Sequence, residues 1–115
     1  MNKIFLILAL SICSYGAMSQ EGIYSVLGAG QKECGEVVDV AERAGFDSAG
    51  YFFYVSFTQG VISTLNGTSE YIYGSKKNFA PKTKTLYRVI KKHCEENLTM
   101  KFHRASVDMW VKNAK

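Results

Sequence analysis

Tyr51-Phe52-Phe53-Tyr54-Val55-Ser56-Phe57-Thr58-Gln59-Gly60-Val61-Ile62-Ser63-Thr64-Leu65-Asn66 is the stretch on which the fold class turns. Its first half is rich in aromatic and β-branched residues, which on propensity alone favours a strand. Period and length decide the other way. Tyr51, Tyr54, Val55, Thr58, Val61, Ile62 and Leu65 share one helical stripe over about four turns, and Asp47 or Ser48 stands where an N-cap belongs. Phe53 and Phe57 add a second apolar side, so this helix is expected to be the central and most buried one. Gly60 within it costs about 1 kcal/mol relative to Ala, and close approach of a neighbouring helix is the expected compensation.

On the N-terminal side, Cys34, Val37, Val38, Ala41 and Ala44 recur at helical spacing with Glu36, Asp39, Glu42 and Arg43 outside the stripe, and Gly45 ends that helix. Ile23 to Gly30 alternates weakly among glycines and reads as an extended arm. Gly28-Ala29-Gly30 is not a dinucleotide loop, because Glu33 occupies the position of the third glycine. On the C-terminal side, residues 67–82 hold Gly67, Gly74, Asn78 and Pro81 and read as a loop. Helical spacing resumes at Leu86, Val89, Ile90, His93 and Cys94 and closes at Asn97. A last helix, with Thr99 as its expected cap, turns Phe102, Ala105, Ser106, Met109 and Trp110 inward. The expectation is an all-α protein: a small bundle of about four helices with an extended N-terminal arm.

The chain's own start bears on its chemistry. Met1-Asn2-Lys3, the apolar run Ile4–Ile12 and the small residues Ala17 and Ser19 have the pattern of a secretory signal, with an apolar stretch too short to span a bilayer. Cleavage after Ser19 would divide the chain into a signal peptide, 1–19, and a single small helical domain, 20–115. A lipoprotein signal would want a small residue before Cys13, where Ile12 stands. Cys13 would leave with the signal, and an exported chain keeping only Cys34 and Cys94 is expected to pair them into one disulfide, joining the first and third helices. These readings predict a periplasmic or secreted protein with no stable membrane insertion after cleavage.

Charge is unevenly spread. Residues 20–70 carry seven acids against two bases, and residues 71–115 eleven bases against three acids. A basic half raises nucleic acid as a partner, but no motif for it is present and an exported chain would rarely meet it; a solvated basic face is the plainer reading. Nothing in the pattern points to catalysis. His93 falls on an inward stripe, where a packed, hydrogen-bonded histidine is expected, and His103 reads as a surface residue. No metal-ligand spacing, catalytic-serine frame or cofactor loop occurs, so the expectation is a protein that is not an enzyme and uses no metal or cofactor. The segment 67–82 is the better candidate for function. Tyr71, Tyr73, Lys76, Lys77 and Phe79 lie there among small residues, and aromatic side chains offer large contact area for few frozen torsions. The competing reading is that Tyr71 and Phe79 fold back over the core. Asn66-Gly67-Thr68 and Asn97-Leu98-Thr99 match the glycosylation sequon, which matters only in a eukaryotic secretory pathway.

Cys34-Gly35-Glu36, the run Phe57 to Asn66 and Ile90 to Asn97 together resemble the small exported bacterial proteins grouped with the Tai-type immunity proteins of type VI secretion amidase effectors. Gly60, Ser63, Asn66, Cys94 and Asn97 match that family's motifs, while Phe57, Val61, Thr64 and Leu98 depart from them. The resemblance implies a periplasmic helical domain with one disulfide that neutralises a peptidoglycan amidase by covering its active-site groove. In architecture the chain is also similar to HdeA-type acid-stress chaperones, which implies acid-driven opening of a homodimer and exposure of apolar surface to client proteins.

Overall fold

The computed structural model describes residues 28–115 and shows a four-helix all-α bundle. A 3-10 turn at Gly28–Gln31 leads into α1 (Cys34–Ala44), α2 (Ala49–Tyr73), α3 (Thr83–Glu95) and α4 (Phe102–Asn113). The signal segment and most of the expected arm lie outside the described residues. The arm's last residues, from Gly28, form the 3-10 turn instead of an extended strand-like lead.

Each helix buries most of the stripe its spacing predicts; Ala44, placed in the stripe of α1, is exposed, and Val61, Leu65 and Val89 are half-buried. Cys34, Val37, Val38 and Ala41 of α1, Leu86, Ile90, His93 and Cys94 of α3, and Phe102, Ala105, Ser106, Met109 and Trp110 of α4 are all buried. On α2 the stripe is buried at Tyr51, Tyr54, Val55, Thr58 and Ile62. Of its expected second side, Phe57 is half-buried against the core and Phe53 is not. Phe53 is 54% exposed and Phe52 57%, so α2 is a wall of the core rather than its centre. Tyr54 and Phe57 pack against the Phe102 ring at 5.2 and 5.8 Å between centroids. Between them and the far end of the bundle, Thr58 and Ser106 satisfy one another in a buried hydrogen bond of 3.0 Å.

The disulfide between Cys34 and Cys94 joins the first residue of α1 to the last turn of α3, and both cysteines are fully buried. The same corner is closed by backbone. Glu33 gives α1 no side-chain cap; instead the Cys34 N–H donates to Met100 O (2.9 Å) and the Gly35 N–H to Leu98 O (2.7 Å). Those are two of the free amides that any helix start must satisfy. A Cβ at position 35 would lie 3.3 Å from the Leu98 carbonyl, so glycine is what permits the approach. Asn97 closes α3 as expected, its side chain donating to His93 O at 2.9 Å. Thr99 does not cap α4, which begins after Lys101 without a side-chain cap. Its first amide is taken up by Lys32 O, bonded to the Phe102 N–H at 2.7 Å.

Two glycines inside α2, Gly60 and Gly67, contrast with Gly35 in standing in open space. Gly60 has no neighbour within 4 Å of a would-be Cβ, so the expected close helix approach is absent there. Gly67, also open and inside α2, has no neighbour either. Gly67→Ala should therefore raise stability by about 1 kcal/mol, whereas Gly35→Ala should lower it despite the better helix propensity; thermal melts of the two variants check both signs. Reduction of the Cys34–Cys94 link, which closes 60 positions of chain, should lower stability by about 4 kcal/mol, measured by denaturant titration with and without reductant.

Candidate protein-binding site

The candidate residues of the 67–82 segment sit on two different kinds of backbone. Residues 67–73 are not loop: α2 runs on through them and ends at Gly74, whose left-handed backbone (φ 74°) lets its N–H reach Glu70 O at 2.9 Å. Gly67, Thr68 and Ser69 are weak helix formers, and the helix survives because their polar groups are used. Thr64 and Thr68 bond back to the carbonyls of Gly60 and Thr64, at 2.9 and 2.7 Å. Ser69, buried, accepts from the Lys77 N–H at 2.9 Å and donates to Lys77 O at 3.0 Å.

Asn66 holds the same segment more firmly. Its amide donates to Phe79 O and accepts from the Phe79 N–H, both at 2.9 Å, reproducing a backbone-to-backbone pair with a side chain. The same Oδ1 accepts from the Trp110 indole N–H at 2.7 Å. With its amide committed to these partners, Asn66 is not presented as a glycan acceptor in the folded chain. The Asn78 and Lys115 backbones exchange hydrogen bonds at 3.0 and 3.2 Å, so residues 74–82 are tied to both α2 and the chain's last residue.

This frame presents some of the expected contact residues and withdraws one. Tyr71 is 94% exposed. Tyr73 is half-exposed and stacks on Trp110, centroids 5.5 Å apart and planes 27° apart, so its ring is held in place. Lys76 and Lys77 are exposed, and Lys76 stands 4.0 Å from Glu70. Phe79 turns inward and packs against the core, the competing reading for that residue. Ile72 belongs to the exposed set although the sequence did not single it out; between two tyrosines at the free end of a helix it has no stripe to signal it.

His93 is a buried titratable group that borders a cleft. It lines a cavity of about 250 Å³ with Val89, Lys92, Glu96, Met109, Lys112 and Asn113. It is packed as expected, but its Nε2 has no hydrogen-bond partner. Burial, reinforced by the Lys112 charge and opposed by Asp108 and Glu96, lowers its pKa below the ordinary 6.5. The expected surface position of His103 is half-buried, with Nδ1 3.0 Å from Gly30 O. Among the described residues no three His, Cys, Asp or Glu side chains cluster as a metal site would require. No helix among them is long and apolar enough to cross a membrane. Comparison of the chain with protein-family models, with curated proteins and with solved structures finds no match.

The His93 environment has a consequence for stability. A histidine whose folded pKa is lowered binds its proton more readily when unfolded, so its contribution is complete above pH 6.5 and is lost as pH falls through that value. The melting temperature should therefore drop between neutral pH and the onset of carboxylate titration. His93→Gln should flatten that part of the profile; a wild-type profile that is already flat there would refute the assignment.

Proposed function

We propose that this chain is an exported binding protein that neutralises a protein partner by contact, in the manner of the Tai-type immunity proteins, with a peptidoglycan amidase effector as the partner class. The observation that carries the reading is the exposed Tyr71, Ile72 and Tyr73 on a helix end that Ser69 and Asn66 fasten to the next segment. Large apolar side chains on the surface of a small protein are costly unless something covers them. Tyr73, held in one orientation by Trp110, would lose little entropy on binding, and Tyr71 offers a large contact area for few torsions. Lys76 and Lys77 beside them would favour an acidic rim on the partner and speed its encounter. The secretory pattern of residues 1–19, a fold closed by a disulfide, and the family-matching Gly60, Ser63, Asn66, Cys94 and Asn97 support the same reading.

Titration of the purified chain against peptidoglycan amidases encoded beside it, by calorimetry, should give a stoichiometric complex that abolishes hydrolysis. Tyr71→Ala should weaken binding by about 2 kcal/mol, the size of an interface anchor, without moving the melting temperature, since that ring touches solvent almost everywhere. Full inhibition by the variant at wild-type affinity would remove Tyr71 from the interface, and failure to bind any adjacent effector would remove the reading itself.

A second reading, the acid-stress chaperone, draws support from His93, buried against α4 beside Met109 and Lys112, where the fold disfavours its protonated form. It requires suppression of client aggregation at roughly pH 2 to 3 and none at neutral pH, a difference that light scattering reads directly.

A further inference from the structure

Two lysines converge on one cavity, and neither is held by an acid. The cavity, of about 250 Å³, opens between α3 and α4 and is lined by Lys92 and Val89 from the first and by Lys112 and Met109 from the second. One residue earlier in the chain, Lys91 pairs with Glu95 at 3.3 Å, four positions on. Lys92 has Glu96 at the same spacing and on the same cavity, yet neither it nor Lys112 belongs to any ion pair among the described residues. The two ammoniums are therefore available to a ligand rather than committed to the fold.

Between them in the lining is a buried polar group. His93 is only 7% exposed, and its Nε2 has no hydrogen-bond partner among the described residues. Nearly all buried polar atoms of folded proteins have one, because leaving one unmet costs free energy. Charges bear on this ring from both helices that form the cavity: Lys92 beside it in the chain and Glu96 at the end of α3, Lys112 and Asp108 from α4. Burial and the Lys112 charge together keep the imidazole neutral at pH 7. The lining then carries two positive charges and one negative, so a single negative charge on a ligand balances it and two exceed it. The volume falls below that of drug-sized pockets, which begin at about 300 Å³, and admits only a ligand of few non-hydrogen atoms.

We infer that this cavity binds a small aliphatic carboxylate, its head group between the Lys92 and Lys112 ammoniums and its hydrocarbon part against Val89 and Met109. A carboxylate there offsets the Lys112 charge at His93 and so favours the protonated ring, which links binding to proton uptake. The sign follows: the His93 pKa, lowered in the free protein, rises in the complex. Affinity accordingly increases as pH falls through the free-protein value, down to the range where the ligand's own carboxyl titrates, about pH 4. The cavity lies between α3 and α4, away from the exposed end of α2, and the inference is independent of the partner assigned to the Tyr71 face.

Sodium butyrate titrated into the purified chain at constant ionic strength, with the histidine ring signals followed by NMR, tests it. The chain has two histidines, so His103 serves as the internal control. Butyrate should move the His93 signals saturably and leave those of His103 in place, and at saturation the His93 pKa should rise by about one unit, the equivalent of tenfold tighter binding to the protonated form. The double variant Lys92→Gln, Lys112→Gln changes only exposed side chains, so the bundle stays folded, and its affinity for butyrate should fall at least tenfold. Butyramide, neutral and of the same shape, should not bind, and inorganic phosphate should bind more weakly than butyrate. Absence of a saturable His93 response overturns the inference, as does unchanged affinity in the double variant. Equal binding of butyramide would make the cavity merely apolar, and tighter binding of phosphate would remove carboxylates as the ligand class.

Discussion

The corner at which α1 starts and α3 ends is the constraint on which the rest of the bundle depends. There the Cys34–Cys94 bond fixes two helices to each other, and the Leu98 and Met100 carbonyls close the first amides of α1. The connection that supplies those carbonyls is the one that launches α4, so a single site sets the relative placement of three helices. Its ion pair, Lys101 with Glu33 at 3.8 Å, is exposed and adds little. The stabilisation comes from the cross-link, from satisfied backbone and from the absence of a side chain at Gly35. A domain of this size buries only about 60 to 65% of its unfolded surface, which makes a covalent contribution of this kind a large share of what keeps it folded.

A second fastening, at Asn66, does for the other end of the molecule what the disulfide does for the first. Its amide stands in for a peptide group against Phe79 and takes the Trp110 N–H as well. Trp110 in turn carries the Tyr73 ring. The orientation of Tyr73 is thus inherited from a buried tryptophan that one asparagine holds in place.

The inward stripes of α1, α3 and α4 were legible because each is a clean 3.6-residue pattern bounded by glycine, asparagine or proline, and the pairing of Cys34 with Cys94 was expected once Cys13 was set aside with the N-terminal segment. The end of α2 was not legible. Gly67, Thr68, Ser69 and Gly74 are loop residues by local preference, and what fastens the first three as helix is Ser69 bonded to Lys77, a contact that exists only once the segment 74–82 has folded back. Tertiary structure overrode propensity there. The exposure of Phe52 and Phe53 was illegible for a related reason: an apolar residue on a second helix side predicts a neighbour, and spacing cannot say whether that neighbour exists. Of the candidate contact residues, Phe79 was misjudged because residues within a loop give no periodicity from which to separate inward from outward.

The two exposed apolar regions differ in kind, and the difference assigns them different work. Tyr71 and Tyr73 carry hydroxyls and stand beside Lys76 and Glu70, so water solvates the face adequately when it is free and a partner can be selected by charge when it is not. The channel between α2 and α4 is mainly apolar, lined by Phe57, Val61, Leu65 and Val107 with the small hydroxyls of Ser56 and Thr64, and no ionic group lines it. Such a channel can attract apolar surface but has no charge with which to discriminate. Selective recognition of the kind proposed above therefore has its physical basis at the tyrosine end of α2, where Lys76 and Glu70 stand beside the exposed rings.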